Sequence, residues 1–288
     1  MKVKFGTAGS PERFYDEGHK STIEIPQWLS ENNLDAFEVQ CGRGVKFSKE
    51  SAQRLGENAS HYNIALSVHS PYYINISTKE SEKRENGFRY IMETAEFARI
   101  IRAERIVVHM GSFMNATRLE ALELSKDFMR ECLERLDKAD LGDIHLCPET
   151  MGKINQMGTV DEVLGLCRID ERLIPTIDFG HVNSREQGSL KTLADYDNIL
   201  NNIENKLGNE RLKKLHVHFS KIEYTKGGEK KHLTLSDEQF GPPFEPLAEA
   251  MVKRNLSPVI ICESDGTQAD DAMKMKQIWS DFYEIFGN

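Results

Sequence analysis

Histidine and acidic residues stand at the ends of several short apolar runs of this sequence. The residues in these positions are His69, His109, Glu149, Asp178 with His181, His218 and Glu263. Imidazole nitrogens and carboxylate oxygens together suit zinc or another divalent transition metal. A bridging carboxylate can hold two such ions about 3.5 to 4 Å apart for hydrolysis of a phosphodiester. We therefore predict a multinuclear metal site in which Glu149 is the bridging and catalytic carboxylate.

The remaining predicted ligands divide by sequence position among separate ions. The sets are His69 with His109, then Asp178 with His218 and Glu263, and finally His181 with His232. His232 belongs to a long lysine-rich segment, so its partnership with His181 would create a third ion site. His216 lies two residues before His218 and so on the same side of a strand. We expect His216 to pack or hydrogen-bond beneath the site.

Ligands carried by different strands converge only if those strands share one end of a barrel. Eight β-like runs can be counted, at residues 3–6, 36–40, 64–69, 106–109, 144–149, 174–178, 212–219 and 259–263. Segments with apolar residues at helical spacing alternate with them, including 80–102, 118–138, 190–207 and 269–286. This alternation predicts an α/β fold, a single (β/α)8 TIM barrel spanning residues 1–288, with the metal site at its C-terminal mouth. The connection 220–241 is predicted to be a loop over the site.

Composition restricts the location and the partners of the protein. The formal net charge is -9, so any contact with nucleic acid must rely on a local patch or on bound metal. The five cysteines are odd in number and lack CxxC spacing, which favours reduced thiols. An apolar leader and an apolar stretch of about 18 residues are both missing from the sequence, so we expect a soluble cytoplasmic protein without membrane contact. We also expect a monomer.

Seven segments that contain the predicted ligands form a more specific pattern. They read SVHSPYYINIS, VVHMGS, CPETMGK, TIDFGHV, VHFSK, KKHLTL and IICESDG. Together, over nearly the whole chain, they resemble the endonuclease IV family of apurinic/apyrimidinic endonucleases, zinc-dependent members of the xylose-isomerase-like barrels. The resemblance implies hydrolysis of double-stranded DNA 5′ to an abasic site, leaving a 3′ hydroxyl. It also implies three zinc ions that orient the phosphate, generate the nucleophilic hydroxide and stabilise the leaving oxygen.

One segment departs from the family pattern. Where the family has an Asp, a basic residue and a His, this chain has Lys230, Lys231 and His232. A lysine ammonium beside a dication is repulsive and cannot bind it while protonated. We therefore predict two tightly held zinc ions, with Mn²⁺ as the alternative metal, and a third site that is weak or absent. Two alternatives remain open: Glu229 could substitute through a shifted loop, or Lys230 could supply the missing positive charge to a phosphate.

The resemblance also indicates residues that would contact DNA. The family inserts side chains into the helix at the abasic site, and Tyr72 and Tyr73 occupy the matching loop. Such rings could stack on bases, or they could simply pack over the barrel rim. Arg43 resembles the family's groove-inserting arginine. Lysines in the predicted mouth loops, at Lys46, Lys79, Lys221 and Lys226, could neutralise phosphates or be plain solvated charges.

Two other classes of function remain compatible with these residues. A sugar isomerase or epimerase would use one or two metal ions held by Glu, Asp and His on the same barrel, and the fold alone does not separate it from a nuclease. A non-catalytic DNA-binding or metal-binding protein would result if the change at Lys230 had abolished turnover. Agreement at every ligand position but one favours the nuclease.

Overall fold

A closed barrel of parallel strands forms the centre of the molecule. The structure, a computed structural model, describes residues 3–287, so the first two residues and the last residue of the predicted domain 1–288 lie outside it. Within this range the strands are β1 (Lys4–Ala8), β2 (Ala36–Gln40), β3 (Ala65–His69), β4 (Arg105–His109), β5 (His145–Glu149), β6 (Thr176–Asp178), β7 (His216–Phe219), β8 (Lys221–Thr225), β9 (Gly228–Leu233) and β10 (Val259–Cys262). The barrel order is β1-β2-β3-β4-β5-β6-β7-β10, closing back on β1. The predicted TIM barrel is confirmed.

Helices surround the barrel and begin at recognisable caps. They are α1 (Glu12–Asp16), α2 (Ile25–Glu31), α3 (Lys49–His61), α4 (Ser81–Ile101), α5 (Arg118–Lys138), α6 (Val160–Cys167), α7 (Phe179–Arg185), α8 (Leu193–Leu207), α9 (Asn209–Lys213), α10 (Glu245–Lys253) and α11 (Gln268–Phe286), with a 3-10 helix at Thr22–Glu24. In α5 the Thr117 hydroxyl accepts the N–H of Glu120, whose carboxylate accepts the N–H of Thr117. Each described helix is too short or too polar to cross a membrane.

Two stretches differ most clearly from their predicted structure. Only His216–Phe219 of the predicted strand 212–219 is extended, because α9 continues to Lys213. The segment 220–241, predicted as a loop, contains the antiparallel hairpin of β8 and β9. Gly228 begins β9 with φ +89, and a Cβ there would lie 2.2 Å from the carbonyl oxygen of Gly152. The hairpin therefore packs against the loop after β5. This contact joins segments that are distant in sequence, so local sequence patterns do not predict it.

Strand register brings the carboxyl ends of the barrel strands to one level. His109 pairs with Glu149, and Asp178 pairs with His218. Side chains two residues apart in a strand point to the same face. The side chain two residues before each of these four therefore fills the barrel interior beneath the mouth. Part of that interior is apolar, with Val107, Cys147 and Ile174 packed together. Another part is polar and contains Glu38, Ser67 and His216, all buried.

Candidate metal centre

Glu149 lies at the middle of the barrel mouth and is 1% exposed. Its Oε2 lies 3.4 Å from Nε2 of His69 and 3.2 Å from Nε2 of His109. Its Oε1 lies 3.2 Å from Nδ1 of His218 and 3.4 Å from Nδ1 of His181. The residue predicted to bridge two ions therefore has a different set of imidazoles around each oxygen.

Three groups of potential ligands adjoin one another at the mouth. They are His69 with His109 and Glu149; Glu149 with Asp178, His218 and Glu263; and His181 with Glu229 and His232. Within each group, the ligand atoms lie within 4.8 Å of one another. The eight predicted ligands are thus brought together, and Glu149 belongs to two of the groups. Glu229, one residue before Lys230, completes the third group.

The donor atoms in these groups suit divalent cations. Nδ1 of His69 lies 2.8 Å from the carbonyl oxygen of Ser70, so it carries the proton and leaves the Nε2 lone pair toward Glu149. Nδ1 of His181 is likewise 2.9 Å from the carbonyl oxygen of Thr150, which leaves its Nε2 toward Glu229. Two acceptors that face each other repel unless a proton or a metal ion stands between them.

Two buried carboxylate oxygens support the same conclusion. Oε2 of Glu149 and Oδ2 of Asp178 are buried without a hydrogen-bond donor. The other oxygen of Asp178 caps α7 and accepts the N–H of His181 at 2.7 Å. This cap fixes the orientation of the carboxylate, which belongs to the ligand group of Glu149, His218 and Glu263. Buried carboxylate oxygens without donors are costly, and a metal ion would compensate them. The residues present therefore fit a metal cluster.

The protonation of these ligands is strongly perturbed. Burial, together with the charges of Asp178 and Glu149, raises the pKa of Glu263 to about 8. Burial opposes the charged form of His69, but its contact with Glu149 overcomes this and raises the pKa to about 9. Burial also opposes the charge on Glu149, yet His218 and the other imidazoles hold the pKa of this carboxyl well below its ordinary value. Protons on these imidazole and carboxyl groups thus offset the negative charge of the buried carboxylates when no metal ion is bound.

The expectation that Lys230 stands beside the third ion is wrong. Its ammonium group pairs with Glu223 at 2.5 Å on the exposed side of the hairpin. Residues 231–233 of β9 pair with β8 in one register, and Gly228 and Glu229 pair in a register shifted by one residue. Lys230 is therefore the extra residue of a β-bulge. The bulge places Glu229 and His232, three residues apart, on one face as if they were two apart.

Space for this arrangement depends on the loop after β5. Nε2 of His181 lies 3.5 Å from Oε2 of Glu229, and Nε2 of His232 lies 4.0 Å from Oε1. A Cβ at Gly152 would come within 2.6 Å of the Glu229 Cβ and 3.0 Å of the His181 ring. Glycine is thus required at position 152 for Glu229 to reach the site. The alternative that Glu229 substitutes through a shifted chain agrees with this geometry.

The residues predicted to contact DNA lie on one side of the mouth. Tyr72 and Tyr73 are 55% and 46% exposed, and Arg43 is exposed on the adjoining loop. Tyr73 contacts the ring of Tyr90 edge-on at 5.0 Å, so it is partly packed. The Tyr72 ring lies over Gly42, where a Cβ would be 3.0 Å from it. Tyr72 is therefore the more available of the two rings for stacking.

Among the four lysines of the predicted phosphate patch, Lys46 and Lys226 are exposed. Lys79 is exposed too, but its ammonium lies 3.8 Å from a carboxylate oxygen of Glu120. Lys221 is half-buried and donates to the Asp237 carbonyl oxygen. Two of the four are thus engaged by other parts of the chain.

Several residues near the ligands were not anticipated from the sequence. Gln40, Lys153 and Gln156 line the mouth cavity of about 330 Å³, where Oε1 of Gln156 is buried without a donor. Glu38 lies deeper and contacts His218. Burial opposes its ionisation, but the charge of His218 and a hydrogen bond from His216 hold the pKa of Glu38 well below its ordinary value. A single acidic residue inside the apolar run AFEVQ was the available signal for it.

Comparison with known proteins shows which family the chain resembles. A family model described as xylose isomerase-like TIM barrel matches residues 26–279. An uncharacterized protein of Methanocaldococcus jannaschii is 34% identical over 272 residues, which are 94% of this chain and 95% of that protein. Probable endonuclease 4 of Shouchella clausii is 29% identical over 219 residues, 72% of each chain. Probable endonuclease 4 of Staphylococcus carnosus is 28% identical over 205 residues, 66% of each chain.

Solved structures with different activities share the fold. A D-tagatose 3-epimerase-like protein matches with a TM-score of 0.71 at 21% identity, covering 99% of this chain and 98% of its own. Endonuclease IV from Thermus thermophilus matches with a TM-score of 0.69 at 18% identity, covering 98% of this chain and 99% of its own. At these identities the similarity establishes the fold alone, and the ligand groups must separate the two activities.

Proposed function

The chain belongs to the xylose isomerase-like TIM barrel family, and from this premise we propose that it is a metal-dependent phosphodiesterase that cleaves double-stranded DNA 5′ to abasic sites. The observation that carries the proposal is the presence of three adjoining ligand groups, two of which share Glu149. Hydrolysis of a phosphodiester by several ions needs adjacent sites and a bridging carboxylate. Zinc is the proposed metal because histidine and carboxylate ligands suit it, with Mn²⁺ as the alternative.

The proposed roles of the residues follow from their positions. Divalent ions held by the three groups would polarise a phosphoryl oxygen and activate water for attack on phosphorus. Glu149 would hold two ions at a fixed separation, because its carboxylate is buried and has imidazoles on both sides. Lys153 lines the cavity and would offer its ammonium to a phosphate. Tyr72 would stack on a base or fill the abasic gap.

The same geometry argues against the sugar isomerase or epimerase. An isomerase or epimerase that uses one or two ions would leave at least one of the three ligand groups without a metal ion. Yet the imidazoles of His69 and His181, which belong to two different groups, are held in defined orientations by the carbonyl oxygens of Ser70 and Thr150. An exposed tyrosine and an exposed arginine beside the cavity also suit a large polyanion better than a free sugar. A cytoplasmic monomer remains our expectation.

The deciding experiment uses zinc-loaded protein and a 5′-labelled duplex with one tetrahydrofuran residue as the abasic site. This analogue resists β-elimination, so strand cleavage reports hydrolysis. We expect one incision on the 5′ side and a product that a DNA polymerase can extend, which identifies a 3′ hydroxyl. The undamaged duplex is the control for lesion dependence, and a panel of ketoses is assayed in parallel. Conversion of a ketose without incision of the duplex would overturn the proposal in favour of the isomerase.

A further inference from the structure

Glu38 is a fully buried carboxylate in the barrel interior, beneath the metal-ligand groups. Its Oε2 accepts hydrogen bonds from the Ser67 hydroxyl at 2.8 Å and from Nε2 of His216 at 2.9 Å. Its Oε1 accepts from the Gln40 amide at 3.3 Å and lies 3.0 Å from Nε2 of His218. Both oxygens therefore face donors, and one of these donors belongs to a proposed metal ligand.

Packing alone does not explain a charged carboxylate in the barrel interior. TIM barrel interiors are filled mainly by branched apolar side chains, and the Val107, Cys147 and Ile174 cluster follows this rule here. Removing a carboxylate from water costs several kcal/mol unless hydrogen bonds and opposite charges compensate it. Replacing Glu38 and His216 with apolar residues would avoid this cost. Their presence thus points to a task connected with His218.

The orientation of His218 identifies that task. Its Nδ1 faces the ligand group, 3.2 Å from Glu149 Oε1 and 3.4 Å from Glu263 Oε1, so Nδ1 is the atom that His218 directs toward that group. Its Nε2 faces Glu38. On the ring nitrogen away from the ligand group, the hydrogen-bond partner is a backbone carbonyl oxygen for His69 and His181 and the Ser220 hydroxyl for His232. Nδ1 of His181 also lies 3.4 Å from carboxylate oxygens of Glu149 and Asp178, but its shorter contact, at 2.9 Å, is with the carbonyl oxygen. His218 differs because its partner is a carboxylate.

We propose that Glu38 is a positioning residue for the ion that Glu149, Asp178, His218 and Glu263 would hold, and that it acts through His218. Its Oε1 accepts the Nε2–H proton, which fixes the tautomer with a lone pair on Nδ1, and its negative charge makes the ring a stronger donor to the metal. Nε2 of His218 and Oε1 of Glu38 lie 3.0 Å apart, although the N–H bond is not aligned on the oxygen in this orientation of the ring. Ser67 and His216 hold the opposite oxygen and so prevent the carboxylate from turning toward the mouth.

This inference rests on the metal centre of the proposed function, and it is tested by metal binding rather than by DNA cleavage. Zinc affinity is measured by competition with a chromophoric chelator for the wild type and for Glu38→Gln, which keeps the shape and removes the charge. We expect one ion per chain to bind about 10- to 100-fold more weakly in the variant, with the others unchanged. Thr176→Val is the control, since Thr176 is also buried beneath the ligands but hydrogen-bonds the Cys147 carbonyl oxygen.

The possible outcomes separate the two proposals. Wild-type affinity at every ion in Glu38→Gln would overturn the role of Glu38 and leave the metal centre intact. An equal loss at all ions, with a lower melting temperature of the chelator-stripped variant, would also overturn it, because Glu38 would then act through the fold. A wild-type protein that binds no zinc would refute the proposed function itself.

A second measurement requires no variant. Nitrogen-15 spectra of histidine in the zinc-loaded wild type report which ring nitrogen of His218 carries the proton. We expect the proton on Nε2 and the metal on Nδ1. A proton on Nδ1 would overturn the proposal, even if Glu38→Gln failed to fold.

Discussion

At the scale of single residues, Glu149 is the side chain on which most of the proposed chemistry depends. It belongs to two ligand groups and has imidazoles beside both oxygens. Glu149→Gln removes the shared negative charge, so we expect lower zinc content and a loss of incision of about 10²- to 10³-fold or more. Metal analysis and the abasic-duplex assay check both effects. Glu104→Gln, an exposed position at the opposite end of the barrel, should behave as wild type. If Glu149→Gln keeps full turnover and full zinc content, the proposed metal centre is wrong.

The Tyr72 ring either stacks on DNA or packs on the rim of the barrel mouth, and a variant distinguishes the two roles. The ring is 55% exposed, so its removal should change folding little. If it stacks on a base, Tyr72→Ala weakens binding to an abasic duplex by about 1 to 3 kcal/mol. Affinity and melting temperature are measured on one preparation. Tyr283→Ala, which removes an exposed ring of α11, should leave affinity unchanged. A lower melting temperature with unchanged affinity in Tyr72→Ala would instead support packing.

At the scale of elements, the β-bulge in β9 controls the third ligand group. Glu229→Gln should lose the third ion, because it removes the carboxylate between His181 and His232. Lys230→Asp should add none, because residue 230 faces Glu223 and not the site. Deleting Lys230 should retain the ion, since regular alternation would then keep Glu229 and His232 on one face. Metal content after mild dialysis checks all three variants. Higher occupancy in Lys230→Asp would contradict the bulge and place residue 230 beside the third ion after all.

At the scale of the whole molecule, metal binding is linked to proton release. The pKa of His69 is raised to about 9 and that of Glu263 to about 8, so both carry protons at neutral pH before a metal ion binds. Zinc must displace these protons, and its apparent affinity should therefore rise as the pH increases from about 7 to 9. Calorimetric titrations in buffers of different ionisation enthalpy count the protons released. Affinity that is independent of pH over this range would contradict the linkage.

The sequence by itself determined the barrel and most of the residues that meet at its mouth. Parallel strands that alternate with helices present their carboxyl ends on one face, so residues such as His69, Glu149 and Glu263 could be predicted to meet without knowledge of any distance. The same reasoning placed His216 beneath the site, because residues two apart in a strand point the same way. These inferences depend only on local periodicity and on the shared direction of the strands.

The tertiary structure decided what depends on contacts between distant segments. The position of Lys230 depends on how β9 pairs with β8 and rests on Gly152, so a pattern comparison assigned it to the wrong face. The start of β7 depends on where α9 ends, which packing decides. Glu38 meets His218 only because β2 and β7, three strands apart around the closed barrel, share its interior. Spacing along the chain carries no information about such a contact, since 178 residues separate Glu38 from His216 and the connection is made through space.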